Sequence, residues 1–293
     1  MTWGFPCQDV SLNGKMEGIK EGNRSGLYYE GYRILKGKKP KYSVIENVRN
    51  LTSKRFKNQF DSILKDIENL GYTNYWKILN AKDFGIPQSR ERIFIISIRN
   101  DADKKSFRFP TPTILKLKLK DLLEENVEKK YYLSKNNIQK LIKEKPYDFK
   151  FESSDEPYVL IKENTKKGYA KAEIGDSINY TFPNCKTKRG RVGKQIAHTI
   201  LTASNMATLI KIDKTALYDD SDKQTNLLST DGRYIMRMRK LTPLECWRLM
   251  GFDDMDFYKI KSIGISDTQA YKQAGNTIVV NVLEAILYEL LMK

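Results

Sequence analysis

Histidine is almost absent from this 293-residue chain, where His198 is the only one. That excludes a metal site built on two histidines, and any Cys–His dyad would have to use that one residue. Cysteine is scarce too. Cys7, Cys185 and Cys246 lie far apart without CxxC spacing, an odd, dispersed set that predicts a reduced, intracellular protein with no zinc site. No apolar run approaches the ~18 to 20 residues needed to cross a bilayer, and Met1-Thr2-Trp3-Gly4 does not read as a signal peptide. Internal repeats and low-complexity tracts are missing as well.

Basic residues, by contrast, are in excess. Lys and Arg number 52 against 36 Asp and Glu, a formal charge of +16. Such a balance suits a polyanionic partner, most simply nucleic acid, and equally a lysine-rich proteome. With 40% hydrophobic and 30% charged residues the composition is that of a globular chain of one large or two ordinary domains.

Up to about Pro110, helix-like and strand-like segments alternate. Phe56, Phe60, Ile63, Leu64, Ile67 and Leu70 recur at helical spacing and Gly71 offers a stop. β-rich runs at residues 42–48 and 93–98 flank that helix, which predicts an α/β sheet with ligands bound at the carboxyl ends of its strands. Phe109-Pro110-Thr111-Pro112 breaks the pattern. Residues 111–238 are lysine-rich with short apolar runs, the texture of a second, loop-rich domain. Helical signals return at Thr242-Pro243-Leu244-Glu245, a capping box with proline at the first helical position, and again at Ser266-Asp267-Thr268-Gln269. The last helix, residues 280–291, is apolar enough to pack back onto the first domain. The division expected is 1–110, 111–264 and 265–293.

Three segments carry residue types suited to chemistry. In Phe5-Pro6-Cys7-Gln8, proline stiffens the turn that holds a cysteine, and Gly14, Gly18, Gly22 and Gly26 then recur every four residues, as in a mobile loop. Glu46 closes an apolar run, where partial desolvation would let it hold a proton near neutrality. Arg90 and Arg92, two apart on an extended chain, would point to one side and suit phosphate or carbonyl oxygens. Taken singly, these segments fit equally well a buried cysteine, a water-facing strand-end carboxylate and a surface charge cluster.

In this order, however, they resemble the cytosine-C5 DNA methyltransferase family over nearly the whole chain. Pro6-Cys7-Gln8 with Ser11 is similar to the family's nucleophile motif, and Glu46-Asn47-Val48 to its second catalytic motif. Gln88, Arg90 and Arg92 match Gln-x-Arg-x-Arg, and residues 239–243 through Glu245, Arg248, Leu249, Gly251 and Phe252 match the motif organising the recognition domain. Gln273-Ala274-Gly275-Asn276-Thr277 with Val280 match the C-terminal motif that completes the cofactor pocket.

The resemblance implies a partial Rossmann-like sheet with a smaller target-recognition domain. It implies that Cys7 adds to C6 of a cytosine flipped from duplex DNA, while Glu46 protonates or hydrogen-bonds N3. C5 then takes the methyl group of S-adenosyl-L-methionine. Asn47 would hold Glu46 and the base edge; Arg90 and Arg92 would orient Glu46, the cytosine carbonyl or a phosphate. Cys7, with no histidine base beside it, would be activated by an electropositive setting. Gln8 and Ser11 would lie near DNA. Residues 186–194 hold five basic residues and no acid, and Arg189, Arg191 and Lys194 are the DNA contacts expected there, although a solvated basic loop reads the same. His198 would pack or touch DNA. A bacterial or phage-like, cytoplasmic restriction-modification setting also follows.

The family's glycine-rich FxGxG turn and the acidic residues that receive the cofactor's ribose have no counterpart here. Candidate cofactor contacts reduce to Asn276, Thr277 and Pro6. The expectation is a truncated chain, or one half of a split enzyme partnered by a separate cofactor-binding chain, with little activity alone. A decayed remnant that only binds DNA is the alternative, and an RNA-directed member a third possibility.

Overall fold

The helical spacing from Phe56 onward forms a helix, and its glycine ends it. In the computed structural model α2 (Lys57–Asn69) buries Phe60, Ile63 and Ile67 along one stripe, and Gly71 adopts φ +88 just beyond it. The structure describes all residues except 12–15, 21, 144–157, 186–188, 214–227, 230–233 and 293. Two compact units divide the chain: Met1–Phe84, Glu91–Thr113 and Val282–Lys293 form one, Gly85–Arg90 and Ile114–Asn281 the other.

In the first unit, β1 (Thr2–Gly4), α1 (Tyr28–Lys38) and β2 (Tyr42–Val48) make a strand–helix–strand crossover, with β1 and β2 parallel. β3 (Tyr72–Asn80) and β4 (Glu91–Arg99) complete a mixed sheet in the order β1-β2-β4-β3, β4 running antiparallel to both neighbours. Central β4 is buried from Ile93 to Ile98, as befits a strand covered on both faces. Ile93 and Ile95 join Phe5, Ile45, Leu35, Ile63 and Ile67 in one core. The predicted α/β character therefore holds.

The second unit centres on an antiparallel sheet. α3 (Lys135–Leu141), β5 (Tyr158–Lys162), β6 (Tyr169–Glu173), β7 (Ser177–Asn179), β8 (Met206–Asp213) and β9 (Tyr234–Lys240) precede its closing helices. β8 pairs with β9 and β7, while β5 and β6 form a hairpin. The core joins Leu133, Ile138, Leu141, Val159, Ile161, Ile178, Leu209 and Met238.

α4 (Pro243–Arg248) starts at the predicted capping box, with Thr242 and Glu245 reciprocally bonded. Arg239 and Glu245, both fully buried, meet in a bidentate pair at 2.9 and 2.6 Å. α5 (Asp254–Ser262) and α6 (Asp267–Asn276), the latter capped by Ser266, follow. Trp247 Nε1 donates to Ala270 O (3.0 Å) and the Tyr271 hydroxyl to Leu241 O (2.6 Å), which ties α6 to this unit. The sequence division at 265 thus falls inside a compact unit. α7 (Val280–Leu291) runs from one unit into the other.

Residues 267–291 include a window long and apolar enough to pass for a membrane span. Helical structure is interrupted at residues 277–279, and Val282, Ile286 and Leu290 of α7 are buried.

Candidate active site

The nucleophile segment sits on a turn fixed from several directions. β1 ends at Gly4, the buried Phe5 anchors the next residue in the core, and Pro6 delivers Cys7 half-buried. The Cys7 carbonyl accepts from Val10 N (3.0 Å) and Ser11 N (2.7 Å), which closes the turn behind the thiol. Ser25 Oγ donates to Pro6 O (2.6 Å), Asn47 Nδ2 to Phe5 O (3.1 Å) and Asn50 Nδ2 to Val10 O (2.6 Å). Ser25 N donates in turn to the buried Asp9 carboxylate (3.0 Å). Ser25, Asn50 and Asp9 are the positioning residues that sequence reading missed. Sixteen to forty positions separate donor from acceptor, and no local pattern signals such pairs.

Glu46 is brought to the same neighbourhood by strand register. Parallel pairing sets Gly4 opposite Glu46, and a Cβ on Gly4 would lie 3.0 Å from Glu46 O, so glycine permits the close approach. Antiparallel pairing sets Val48 opposite Arg92, whose Nε lies 2.9 Å from Glu46 Oε1. Both side chains are about seven-eighths buried, at 16% and 14% exposure, so water screens the pair weakly. The pair holds the carboxylate in one orientation on the strand beside the one that leads into Cys7. Asn47 is buried, and its amide oxygen accepts from Val48 N (2.8 Å), while its nitrogen reaches the nucleophile segment.

Gln8 accepts from Arg24 Nη1 (2.9 Å) at the surface. Where the glycine spacing suggests a mobile loop, the described part is tied down. Asn23 Nδ2 donates to Gly18 O (2.7 Å), Gln59 Oε1 accepts from Ile19 N (3.0 Å), and Gly26 lies in a 3-10 turn. Gly14 lies outside the described residues.

Arg90 behaves differently from Arg92. It belongs to the second unit and is buried, with Nη1 donating to Ile200 O (3.0 Å) and Nη2 to Gly275 O (2.9 Å) and Thr277 O (3.0 Å). Gln88 donates to Leu249 O (2.7 Å) and accepts from Ile200 N (3.0 Å). The shared side predicted for the two arginines corresponds to no common strand, because β4 begins only after Arg90. Arg90 serves as a strut that fixes three backbone carbonyls. Its contacts hold the segment containing Asn276 and Thr277; Asn276 is exposed and Thr277 half-buried.

The basic segment is also only partly free to meet a ligand. Arg189 is exposed, and Lys186 and Lys188 lie outside the described residues. Arg191 is buried (1% exposed) and donates to Asn179 O (3.0 Å), Thr181 O (3.2 Å) and Phe182 O (2.9 Å). That burial lowers its pKa from the usual arginine value. Arg191 therefore supports the loop from inside rather than reaching outward. Lys194 is engaged by Asp176 (2.8 Å) and Glu173 (3.1 Å), and His198 Nε2 lies 3.1 Å from Arg191 O, a packing role.

Comparison with known proteins places the chain in a class. A family model described as C-5 cytosine-specific DNA methylase matches residues 1–292, and the chain belongs to that family. Among its relatives, Type II methyltransferase M2.ScrFI of Lactococcus lactis subsp. cremoris is 38% identical over 99% of this chain. The chain spans 65% of that relative's length. Type II methyltransferase M.HhaI of Haemophilus parahaemolyticus is 32% identical, over 98% of this chain and 74% of its own length. Among solved structures, the Entamoeba histolytica methyltransferase EhMeth superposes with a TM-score of 0.55 over 99% of this chain and 75% of its own. At 17% identity that likeness concerns the fold alone.

Proposed function

We propose that this chain supplies the nucleophile, the acid and the target-reading domain of an enzyme that methylates C5 of cytosine in duplex DNA, in a restriction-modification setting. The observation that carries the reading is the Arg92–Glu46 pair on β2, registered beside the strand that delivers Cys7. In this mechanism the Cys7 thiolate forms a bond to C6 and the ring's electron pair moves to C5. Glu46, oriented by Arg92 and backed by Asn47, holds the proton at N3 that neutralises the developing charge. Methyl transfer to C5 is followed by loss of the C5 proton. The electron pair returns to the ring, the S–C6 bond breaks, and the thiolate is restored. A base that reacts this way must first leave the duplex stack, at a cost of a few kcal/mol.

S-adenosyl-L-methionine, when bound, supplies the electrophilic methyl group. This chain offers the exposed carboxamide of Asn276, the Thr277 hydroxyl and the Pro6 ring; the Pro6 carbonyl already accepts from Ser25. That set fits part of the cofactor, since none of the three is a carboxylate able to receive ribose hydroxyls. A further polypeptide, continuous with this chain or separate, completes the pocket in this reading. Support comes from the 65% span relative to M2.ScrFI. The domain roles follow: residues 1–110 carry the chemistry and 111–264 read DNA, while of residues 265–293 only those from Val282 return to the first unit.

Transfer of a tritiated methyl group to cytosine C5 in duplex DNA tests the reading. The chain together with a cofactor-binding half taken from a relative should be active, and Cys7→Ser should abolish that activity. A Cys7→Ser protein as active as its parent would overturn it.

A further inference from the structure

Phe182 is the most anomalous residue of the second unit. It is 75% exposed, and its backbone lies in the left-handed region at φ +50, where glycine or asparagine is favoured over a bulky side chain. Stability gives no reason to hold a large aromatic ring in water on a strained backbone. Yet the loop that presents it is built with care. The buried Arg191 guanidinium binds the carbonyls of Asn179, Thr181 and Phe182, so one side chain fixes the chain on both sides of residue 181. Thr181 N donates to Asn179 Oδ1 (3.0 Å), and Cys185 N to Phe182 O (2.9 Å) closes a turn. The Tyr180 hydroxyl, 2.8 Å from Ser204 O, anchors the loop's root.

The residues that follow Phe182 border a cavity with a basic lining. Behind the turn, Pro183, Asn184 and Cys185 border a cavity of about 510 Å³ that Lys140, Lys162 and Arg191 also line. Glu163, the carboxylate in that lining, already accepts from the backbone N–H groups of Arg191 (2.6 Å) and Val192 (3.1 Å). Both lysines are exposed, as is Arg189 nearby in sequence. An exposed aromatic ring one residue from a cavity lined by exposed lysines suits a polyanion that also carries π-faces, which describes a nucleic acid.

We propose that Phe182 is a DNA-contacting residue of the second unit, stacking on or wedging beside bases, with Lys140 and Lys162 meeting the adjacent phosphates and Arg191 positioning the loop. This inference rests on the DNA-directed reading above. It adds a residue and a mode of contact that the family motifs do not contain.

The test uses the full chain and duplexes that the parent enriches from a random-sequence library. Phe182→Ala should bind the enriched duplex roughly tenfold more weakly, within the range seen when aromatic–base stacking is removed. The slope of affinity against salt should stay unchanged, because that slope counts phosphate contacts. Thermal unfolding should show a fold as stable as the parent's, since the lost ring is exposed. Phe182→Trp should bind as the parent does, and its added emission should be quenched by the duplex. Unchanged affinity of Phe182→Ala with unquenched Phe182→Trp would overturn the inference while leaving the DNA-directed reading standing. A parent chain that binds no duplex at all would remove both.

Discussion

Two glycines of one helix should respond to the same substitution in opposite directions. α1 contains Gly31 and Gly37. A Cβ on Gly37 meets nothing within 4 Å, so Gly37→Ala gains only helix propensity, about 0.5 kcal/mol near a helix end. A Cβ on Gly31 would lie 2.1 Å from Trp3 Cζ3 and 2.3 Å from Cε3. That is roughly 1.5 Å closer than carbon atoms pack at their optimum. The indole cannot swing aside cheaply. Its Nε1 donates to the buried Ser43 Oγ at 2.9 Å, and its ring stacks on Tyr28 at a centroid distance of 6.1 Å. Overpacking of this kind costs about 1–3 kcal/mol.

Urea unfolding followed by tryptophan emission, to which Trp3 and Trp76 of the first unit contribute, reads the effect. With urea m-values of ~1–3 kcal/mol/M, Gly31→Ala should lower the midpoint by roughly 1 M while Gly37→Ala raises it slightly. Gly31→Ala should also weaken the chemistry, because Trp3 lies on the strand that leads to Cys7. Equal midpoints for the two variants would refute the packing argument.

Other consequences are more local. Glu46→Gln keeps the side chain's shape but removes the transferable proton, and methyl transfer should fall by ~10²–10⁴-fold while duplex binding stays near parental. Arg239→Met strands the Glu245 carboxylate in the core. Breaking such a pair costs about 3–5 kcal/mol, visible in the unfolding midpoint of the second unit. Asp267 loses solvent on burial, yet hydrogen bonds from Lys261, Lys130 and Tyr131 bring its pKa down to about 2. A depressed folded-state pKa gives stability that is present above the unfolded value near 4 and lost as pH falls toward 2. Asp267→Asn should therefore flatten the acid limb of a stability–pH profile across that window, and an unchanged limb would contradict the assignment.

Local patterns explain what could be read in advance. The period of Phe60, Ile63 and Ile67, the glycine stop and the Thr242–Glu245 capping box each lie within a few residues and carry their physics with them. Cys7, Glu46 and the arginines were visible as motif letters, and register then explains how the sheet sets Arg92 against Glu46. The burial of Arg90 is not legible in an arginine's letters. Three backbone carbonyls from residues 200, 275 and 277, over a hundred positions away, decide its role. The burial of Arg191 is equally illegible, since a run of basic residues looks solvated until one of them turns inward. Phe182 gave no signal in one dimension; its strained backbone and exposure appear only in the fold.

The covalent step is the centre of the account, and its most direct test is a mass measurement. Duplex DNA carrying 5-fluorocytosine should trap the chain when it is supplemented with a cofactor-binding half and S-adenosylmethionine. Fluorine cannot leave C5 as a proton does, so the S–C6 bond would persist. The account predicts an adduct whose mass equals protein plus methylated DNA strand, mapped to Cys7 and absent in Cys7→Ser. An adduct mapped to Cys185 or Cys246, or active enzyme that forms no adduct, would contradict it.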